Sequence, residues 1–461
     1  MESKKASKRF LYTIVIVATL AELIRGFDLM VVAGALIFLG KEFDLSAVQQ
    51  GFAVGSALLG CIFGALIGGE IGDLFGRKRT LYLTALFYGV SAVGTALPHD
   101  FTTFCIFRII GGIGVGFASV VAPIYIAEVS PAKIRGKLIT MTQLSLITGS
   151  LISIILAWRL ASVTEFQFLL TPSAGNWRWM FASELIPIIL FAICLFFVPP
   201  SPRWLMIKGR TEEARRVLVK IAGTEKADTL LKEIKSSLTR ETGTFSELFE
   251  PGIRKALFIA LVLSVVQQFC GVDTIMLYSP VIFQSMGITN AADAIFRLVI
   301  IQIWMIFATV LSYILIDRWG RRPLLLFGSI AMAVGHILLG YSFHQGVFGL
   351  RVLLYMFILI GAYIMTFAAV YWVFVSEIFP NRIRGKAISL AVFTLWGSSY
   401  LVKQFFPPAK EYIKELFGSE AGLYWFYAAV CVFAFFFCWK MIPETKGRTL
   451  EEIGRSWTKE T

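Results

Sequence analysis

Between Phe10 and Ile442 the chain repeatedly runs for about twenty residues almost without a charge, and this constrains its fold more than any other feature. A lipid hydrocarbon core about 30 Å thick is crossed by about 20 helical residues. Inside it every backbone N–H and C=O must be bonded within the protein, which leaves helices or a closed barrel. At that length the sequence predicts spans at 10–39, 51–72, 80–97, 104–127, 138–160 and 178–198, then at 253–283, 295–316, 324–344, 351–376, 387–407 and 422–442. The fold class expected is an all-α membrane protein of twelve transmembrane helices. Composition agrees: 57% of residues are hydrophobic and 16% charged, against about 25% charged in soluble proteins. Disordered, collagenous and disulfide-stapled secreted chains are excluded by 41 phenylalanines, glycines without a period and only six cysteines. The run from Phe10 to Leu39 is too long for a signal-peptide core and lacks an A-x-A site, so it reads as a retained span.

The net charge of +13 sits in short clusters between the apolar runs, the pattern of positive-inside topology rather than of nucleic-acid binding. Lys4, Lys5, Lys8 and Arg9 place the N-terminus in the cytoplasm. Arg77–Arg79, Lys133–Lys137, Arg318–Arg322 and Arg382–Lys386 mark later cytoplasmic loops, whereas the stretches 98–103, 284–293 and 345–350 hold no Lys or Arg. Both ends are therefore expected inside. The six cysteines show no CxxC spacing and the three histidines are scattered, so neither a metal site nor a cofactor is expected, and the cysteines read as buried thiols. No nucleophile, metal or phosphate motif suggests an enzyme.

Laid over each other, the two halves repeat. Glu128-x-x-Pro131-x-x-Ile134-Arg135-Gly136-Lys137 recurs as Glu377-x-x-Pro380-x-x-Ile383-Arg384-Gly385-Lys386, and Asp73-x-x-Gly76-Arg77-Lys78 recurs as Asp317-x-x-Gly320-Arg321-Arg322. A weaker third pair matches Pro199 and Arg203 with Pro443 and Arg448. The organisation predicted is a six-helix bundle at 1–198, a cytoplasmic linker of amphipathic helices at 199–252, a second six-helix bundle at 253–442 and a cytoplasmic tail at 443–461. Two such parallel bundles are the arrangement of major facilitator transporters. Asp73, Arg77, Glu128, Arg135, Asp317, Arg321, Glu377 and Arg384 stand at cytoplasmic helix ends. There the acids can accept charge-assisted hydrogen bonds and hold the bundles together when the inner gate is closed. The plainer reading is that these residues only set topology. Positive-inside placement needs no acids, which both halves nonetheless carry.

These motifs, with RIIGGIGVGFAS at 108–119, PPSPRWL at 199–205, QQFCGVD at 267–273 and PETKGRTLEE at 443–452, resemble the sugar porter family of the major facilitator superfamily along essentially the whole chain. Bacterial xylose and glucose proton symporters look most similar, which implies a bacterial-type inner membrane. The resemblance implies a central site between the halves, alternating access, and sugar contacts at positions matching Gln143, Gln267, Gln268, Asp273, Met305, Trp372 and Trp396. Amides both donate and accept hydrogen bonds, as hydroxyls require, and indole faces pack on the C–H surface of a sugar ring. Asp273 and Met305 replace asparagines of the family, Leu395 replaces a glutamine of the xylose symporters, and Ala368-Ala369 replaces a Gly-Pro.

Ionisable groups at membrane depth cost about 2.5–3.5 kcal/mol each on insertion scales and so mark function. Glu22, Arg25 and Asp28 share one face of the first span, and Arg108 opens the fourth. The resemblance gives Asp28 the proton-coupling role, with Arg108 as its partner. A structural ion pair is the alternative. Arg25 stands where relatives carry Phe, and pairing with Glu22, pairing with Asp273 and gripping a charged substrate all remain open. The function expected is proton-coupled symport of a sugar or polyol by a membrane-embedded chain working as a monomer. The competing readings are a carrier of a sugar acid, organic anion or zwitterion using Arg25 and Asp273, or a sugar uniporter. A channel would leave the duplicated motifs unexplained.

Overall fold

The computed structural model describes residues 2–163, 175–238, 244–380 and 382–446. The described elements are helices: α1 Glu2–Glu42, α2 Ala47–Phe75, α3 Arg77–Ala96, α4 Phe101–Val129, α5 Ala132–Ser162, α6 Asn176–Ala182, α7 Leu185–Cys194, α8 Pro202–Ile207, α9 Thr211–Ala222, α10 Thr224–Leu238, α11 Ile253–Phe269, α12 Val272–Ser285, α13 Ala291–Trp319, α14 Arg321–Gln345, α15 Leu350–Tyr363, α16 Ala369–Glu377, α17 Arg384–Phe417 and α18 Ala421–Met441. Among the described residues, ten segments are long and apolar enough to cross a membrane. The more polar α3 and α17 complete the twelve spans.

Three expected spans are interrupted. The span at 178–198 breaks at Ser183–Glu184 between α6 and α7. Pro187 lacks the N–H that would bond the Ser183 carbonyl, and its ring crowds that carbonyl. The span at 253–283 breaks at Cys270–Gly271 between α11 and α12. The span at 351–376 passes through a π turn, Ile364–Ala368, between α15 and α16, and such turns recur at functional sites. Broken helices at membrane depth are tolerated where they face protein or a polar cavity.

The described residues cluster into two compact units. One is drawn from Met1–Val31, Leu59–Leu156 and Thr164–Glu241, the other from Val32–Leu58, Ala157–Val163 and Thr242–Thr461. The outer parts of α1 and α2 thus belong to the second unit, where the Gln404 amide donates to the Val48 carbonyl at 3.1 Å. Within the linker, α9 buries Ala214, Val217, Leu218 and Ile221 at helical spacing, and Arg215 pairs with Asp228 of α10 at 2.7 Å. The cysteines are reduced, and all are buried except the half-buried Cys194.

Candidate functional site: two buried polar clusters

In the first unit two tight helix crossings set the charges. A Cβ on Gly26 of α1 would lie 1.9 Å from the Leu146 carbonyl oxygen of α5, and one on Gly149 of α5 would lie 1.9 Å from the Leu23 carbonyl oxygen. Only hydrogen at both positions lets the backbones meet. The Ser150 hydroxyl then donates to the Gly26 carbonyl at 3.0 Å. This contact fixes the turn of α1 that carries Glu22, Arg25 and Asp28, and sets Gln143 one to two turns away on α5, half-buried. Asp28 and Arg108 are both 1% exposed, with Nη1 2.7 Å from Oδ1, and the same Nη1 donates to the Asp28 carbonyl at 3.2 Å. The guanidinium lies 5.6 Å from the centre of the Phe181 ring, which packs edge-on against Phe104 and Trp177. Arg25 is ion-paired with Glu22 of its own helix, one of the three partners left open for it.

Glu184, absent from the sequence-derived candidates, completes this cluster. It sits in the break between α6 and α7, is 1% exposed and has neither carboxylate oxygen hydrogen-bonded. It interacts electrostatically with Asp28 and Arg108. Tyr88 of α3 lies fully buried in the field of the same acids. Three carboxylates and two guanidiniums are therefore enclosed together.

The second unit is built differently. Gln267 and Gln268 end α11 and are buried. Asp273 starts α12 just past the break. Trp396 of α17 is buried with its indole N–H unpartnered, as is the Gln267 amide oxygen. Trp372 of α16, just beyond the π turn, keeps 41% of its surface exposed. Met305 is buried, and one turn before it Gln302 is fully buried with its amide oxygen unpartnered. An amide therefore persists on α13, displaced by three residues from the expected position. Asp273 is ion-paired with Lys403 of α17, Nζ to Oδ2 2.5 Å. Lys403 had escaped the reading of the sequence, although it stands two helical turns after Trp396.

The duplicated motifs form matching clasps. In the first unit Arg77 reaches Asp73 at 2.5 Å and Glu128 at 2.9 Å, and Ser201 donates to the other Glu128 oxygen at 2.5 Å. In the second, Arg321 grips Glu377 in a bidentate pair at 2.7 and 3.1 Å, and Thr445 donates to Glu377 Oε2 at 2.7 Å. Gly76 and Gly320, with φ of 92° and 89°, make the turns that bring the arginines in. The weak third repeat thus carries equivalent hydroxyls, each two residues after its proline. Arg384 bonds the Phe379 carbonyl at 3.1 Å. The side chains of Arg135 and Asp317, and all of Arg448, lie outside the described residues.

The family described as "Sugar (and other) transporter" matches residues 14–457. The chain is 38% identical to the D-xylose-proton symporter of Escherichia coli K12, covering 98% of this chain and 96% of that protein. It is 36% identical to the arabinose-proton symporter of Bacillus subtilis, covering 99% and 97%. Among solved structures, the inward open xylose transporter XylE from E. coli superposes with a TM-score of 0.85 at 36% identity, over 97% of this chain and 100% of that one. The same symporter bound to 6-bromo-6-deoxy-D-glucose gives 0.79 over 97% and 99%. With its twelve helices, duplicated clasps and buried polar clusters, this multi-pass membrane protein belongs to the sugar porter family of the major facilitator superfamily.

Proposed function

We propose that the protein is a secondary active transporter that carries a sugar or polyol together with protons by alternating access. The single observation that carries this is the buried Asp28–Arg108 pair with the unpartnered Glu184 beside it. Three acids facing two arginines at membrane depth leave one negative charge in excess, and the cluster balances it by holding one proton. Deprotonated, Asp28 is free to hold Arg108 at full charge; protonated, it weakens that grip. Such a change biases a two-state equilibrium.

Substrate contacts fall to Gln143 in the first unit and to Gln267, Gln268, Asp273, Trp372 and Trp396 in the second. Arg25 and Asp273 each have an internal counter-charge, Glu22 and Lys403. Neither leaves an isolated charge for an ionic solute, which favours an uncharged, hydroxyl-rich substrate. The clasps built on Asp73, Arg77, Glu128, Arg321 and Glu377 stiffen the cytoplasmic helix ends at the inner gate, and the repeated sequence motifs assign Arg135, Asp317 and Arg384 to the same gate. The basic loops orient both termini toward the cytoplasm of a bacterial-type inner membrane, and one chain suffices as the working unit.

The test is Asp28→Asn in proteoliposomes. The amide keeps a hydrogen bond to Arg108 but cannot exchange a proton, so sugar exchange persists while uphill accumulation under an imposed proton gradient falls to equilibrium. Accumulation equal to the wild type would overturn the reading.

A further inference from the structure

The second unit's ion pair stands in the region that the proposed function assigns to substrate. Lys403 is 6% exposed. Two of its three N–H donors are committed, to Asp273 Oδ2 at 2.5 Å and Ser399 Oγ at 2.7 Å. The Tyr278 hydroxyl donates to the Lys403 backbone carbonyl at 2.9 Å, and the Tyr278 ring stacks on Phe406 one turn further along. The lysine is thus held from its own backbone. Asp273, by contrast, keeps about a third of its side chain exposed, 32%, and among the described residues its Oδ1 has no hydrogen-bond partner. A long side chain on α17 therefore neutralises one oxygen of an acid on α12 and leaves the other oxygen without a partner among the described residues.

We propose that Lys403 is a specificity-determining residue: it holds Asp273 as an ionised, charge-balanced acceptor for substrate hydroxyls. This inference rests on the sugar-transport reading. An ionised carboxylate accepts stronger hydrogen bonds than an amide, and the ammonium removes the net charge that would otherwise recruit a cation. Met305 and Leu395 supply no polar atom here, and both are 5% exposed. A charged acceptor on α12 strengthens the hydroxyl recognition that Met305 and Leu395 do not provide at their own positions. The ligand class that fits is a neutral polyhydroxylated ring, with one hydroxyl donating to Oδ1. A sugar acid would meet the carboxylate with like charge and bind less well.

The experiment is a double-mutant cycle on the full chain in proteoliposomes. The probe is whichever of D-xylose, L-arabinose, D-glucose, D-galactose and myo-inositol gives the strongest counterflow in the wild type. Lys403→Met leaves the carboxylate unbalanced, and Asp273→Asn leaves the ammonium unbalanced. Each should raise KM by about tenfold or more with a smaller fall in maximal rate, because removing one partner of this half-buried pair leaves the other's charge uncompensated. The double variant carries no unbalanced charge and should return KM to within about threefold of the wild type, a coupling that independent residues do not show. Lys403→Arg, which keeps the charge, should stay nearest the wild type. An unchanged KM in Lys403→Met, or a double variant no better than the worse single one, overturns the inference. If either single variant fails to fold, the double variant decides: near-normal KM supports the pair, a lost one refutes it. If the wild type transports no neutral member of the panel, the sugar reading itself fails, whatever the cycle gives.

Discussion

The two halves of the sequence share repeated motifs, and in the two units the ends that carry those motifs are alike while the interiors differ. The first unit encloses Glu22, Arg25, Asp28, Arg108 and Glu184, an ionic interior with an acid to spare. The second encloses amides and indoles with one compensated pair, Asp273 and Lys403. At the ends that carry the repeated motifs both keep an arginine, a glutamate and a hydroxyl in the same order. The proposed function assigns the response to protons to the cluster with surplus charge and the recognition of hydroxyls to the neutral polar surface, with the matching clasps as a shared scaffold.

The largest break in this comparison is Asp28→Asn, which should abolish accumulation and leave exchange. Next comes the scaffold beneath the charges. Gly149→Ala drives a methyl group into the Leu23 backbone carbonyl, 1.9 Å away. Backbone cannot swing aside as a side chain can, so a loss of about 3 kcal/mol or more is expected, read as a large fall in thermal stability of the purified protein. Gly397, on α17 of the second unit, has nothing within 4 Å of an added Cβ. Gly397→Ala should therefore be neutral or stabilising by up to about 1 kcal/mol. Equal effects at the two positions would show that the first unit's crossing is not specially tight.

Glu184→Gln comes third. Its carboxylate makes no hydrogen bond within the described structure, so stability should change by less than about 1 kcal/mol. Proton-driven accumulation should nevertheless fall by about tenfold, equivalent to about 1.4 kcal/mol of coupling, with exchange retained. Accumulation at the wild-type level would remove Glu184 from the coupling cluster and leave Asp28 and Arg108 to act alone.

Much of this architecture was legible because lipid imposes a length and a charge rule that soluble folds lack. Even α3 and α17, too polar for a hydropathy threshold, were found as apolar runs of membrane length at 80–97 and 387–407, and the alternating loop charges agree. The helix breaks were harder. Pro187 and Gly271 were visible, but continuous apolarity argued for unbroken spans. Asp28 and Arg108 stood out as charges in lipid-length segments. Glu184 and Lys403 satisfied the same criterion, inside the expected spans 178–198 and 387–407, and were passed over because their roles depend on helices far away in sequence. Asp273 and Lys403 are 130 positions apart, and no local pattern joins them. Glu22 and Asp28 are equally near Arg25 in sequence, yet Glu22 is the one ion-paired with it, while Asp28 is taken by Arg108.

The smallest expected effect separates the two clasps. Glu128 Oε2 takes its hydrogen bond from Ser201 at 2.5 Å, and Ser201 also caps α8 by accepting from the Trp204 N–H at 3.3 Å. Glu377 Oε2 is served by Thr445 at 2.7 Å but also by Arg321 Nε at 3.1 Å. The glutamates differ in exposure too, with side chains 8% and 23% exposed. Ser201→Ala thus leaves a buried carboxylate oxygen without a donor and a helix without its cap, and should cost about 2 kcal/mol. Thr445→Val removes one of two donors from a wetter carboxylate and should cost about 0.5–1 kcal/mol. Thermal unfolding of the two variants measures the order directly. If Thr445→Val proved the more damaging, the second arginine contact would not be holding Glu377, and the two clasps would differ in mechanism as well as in burial.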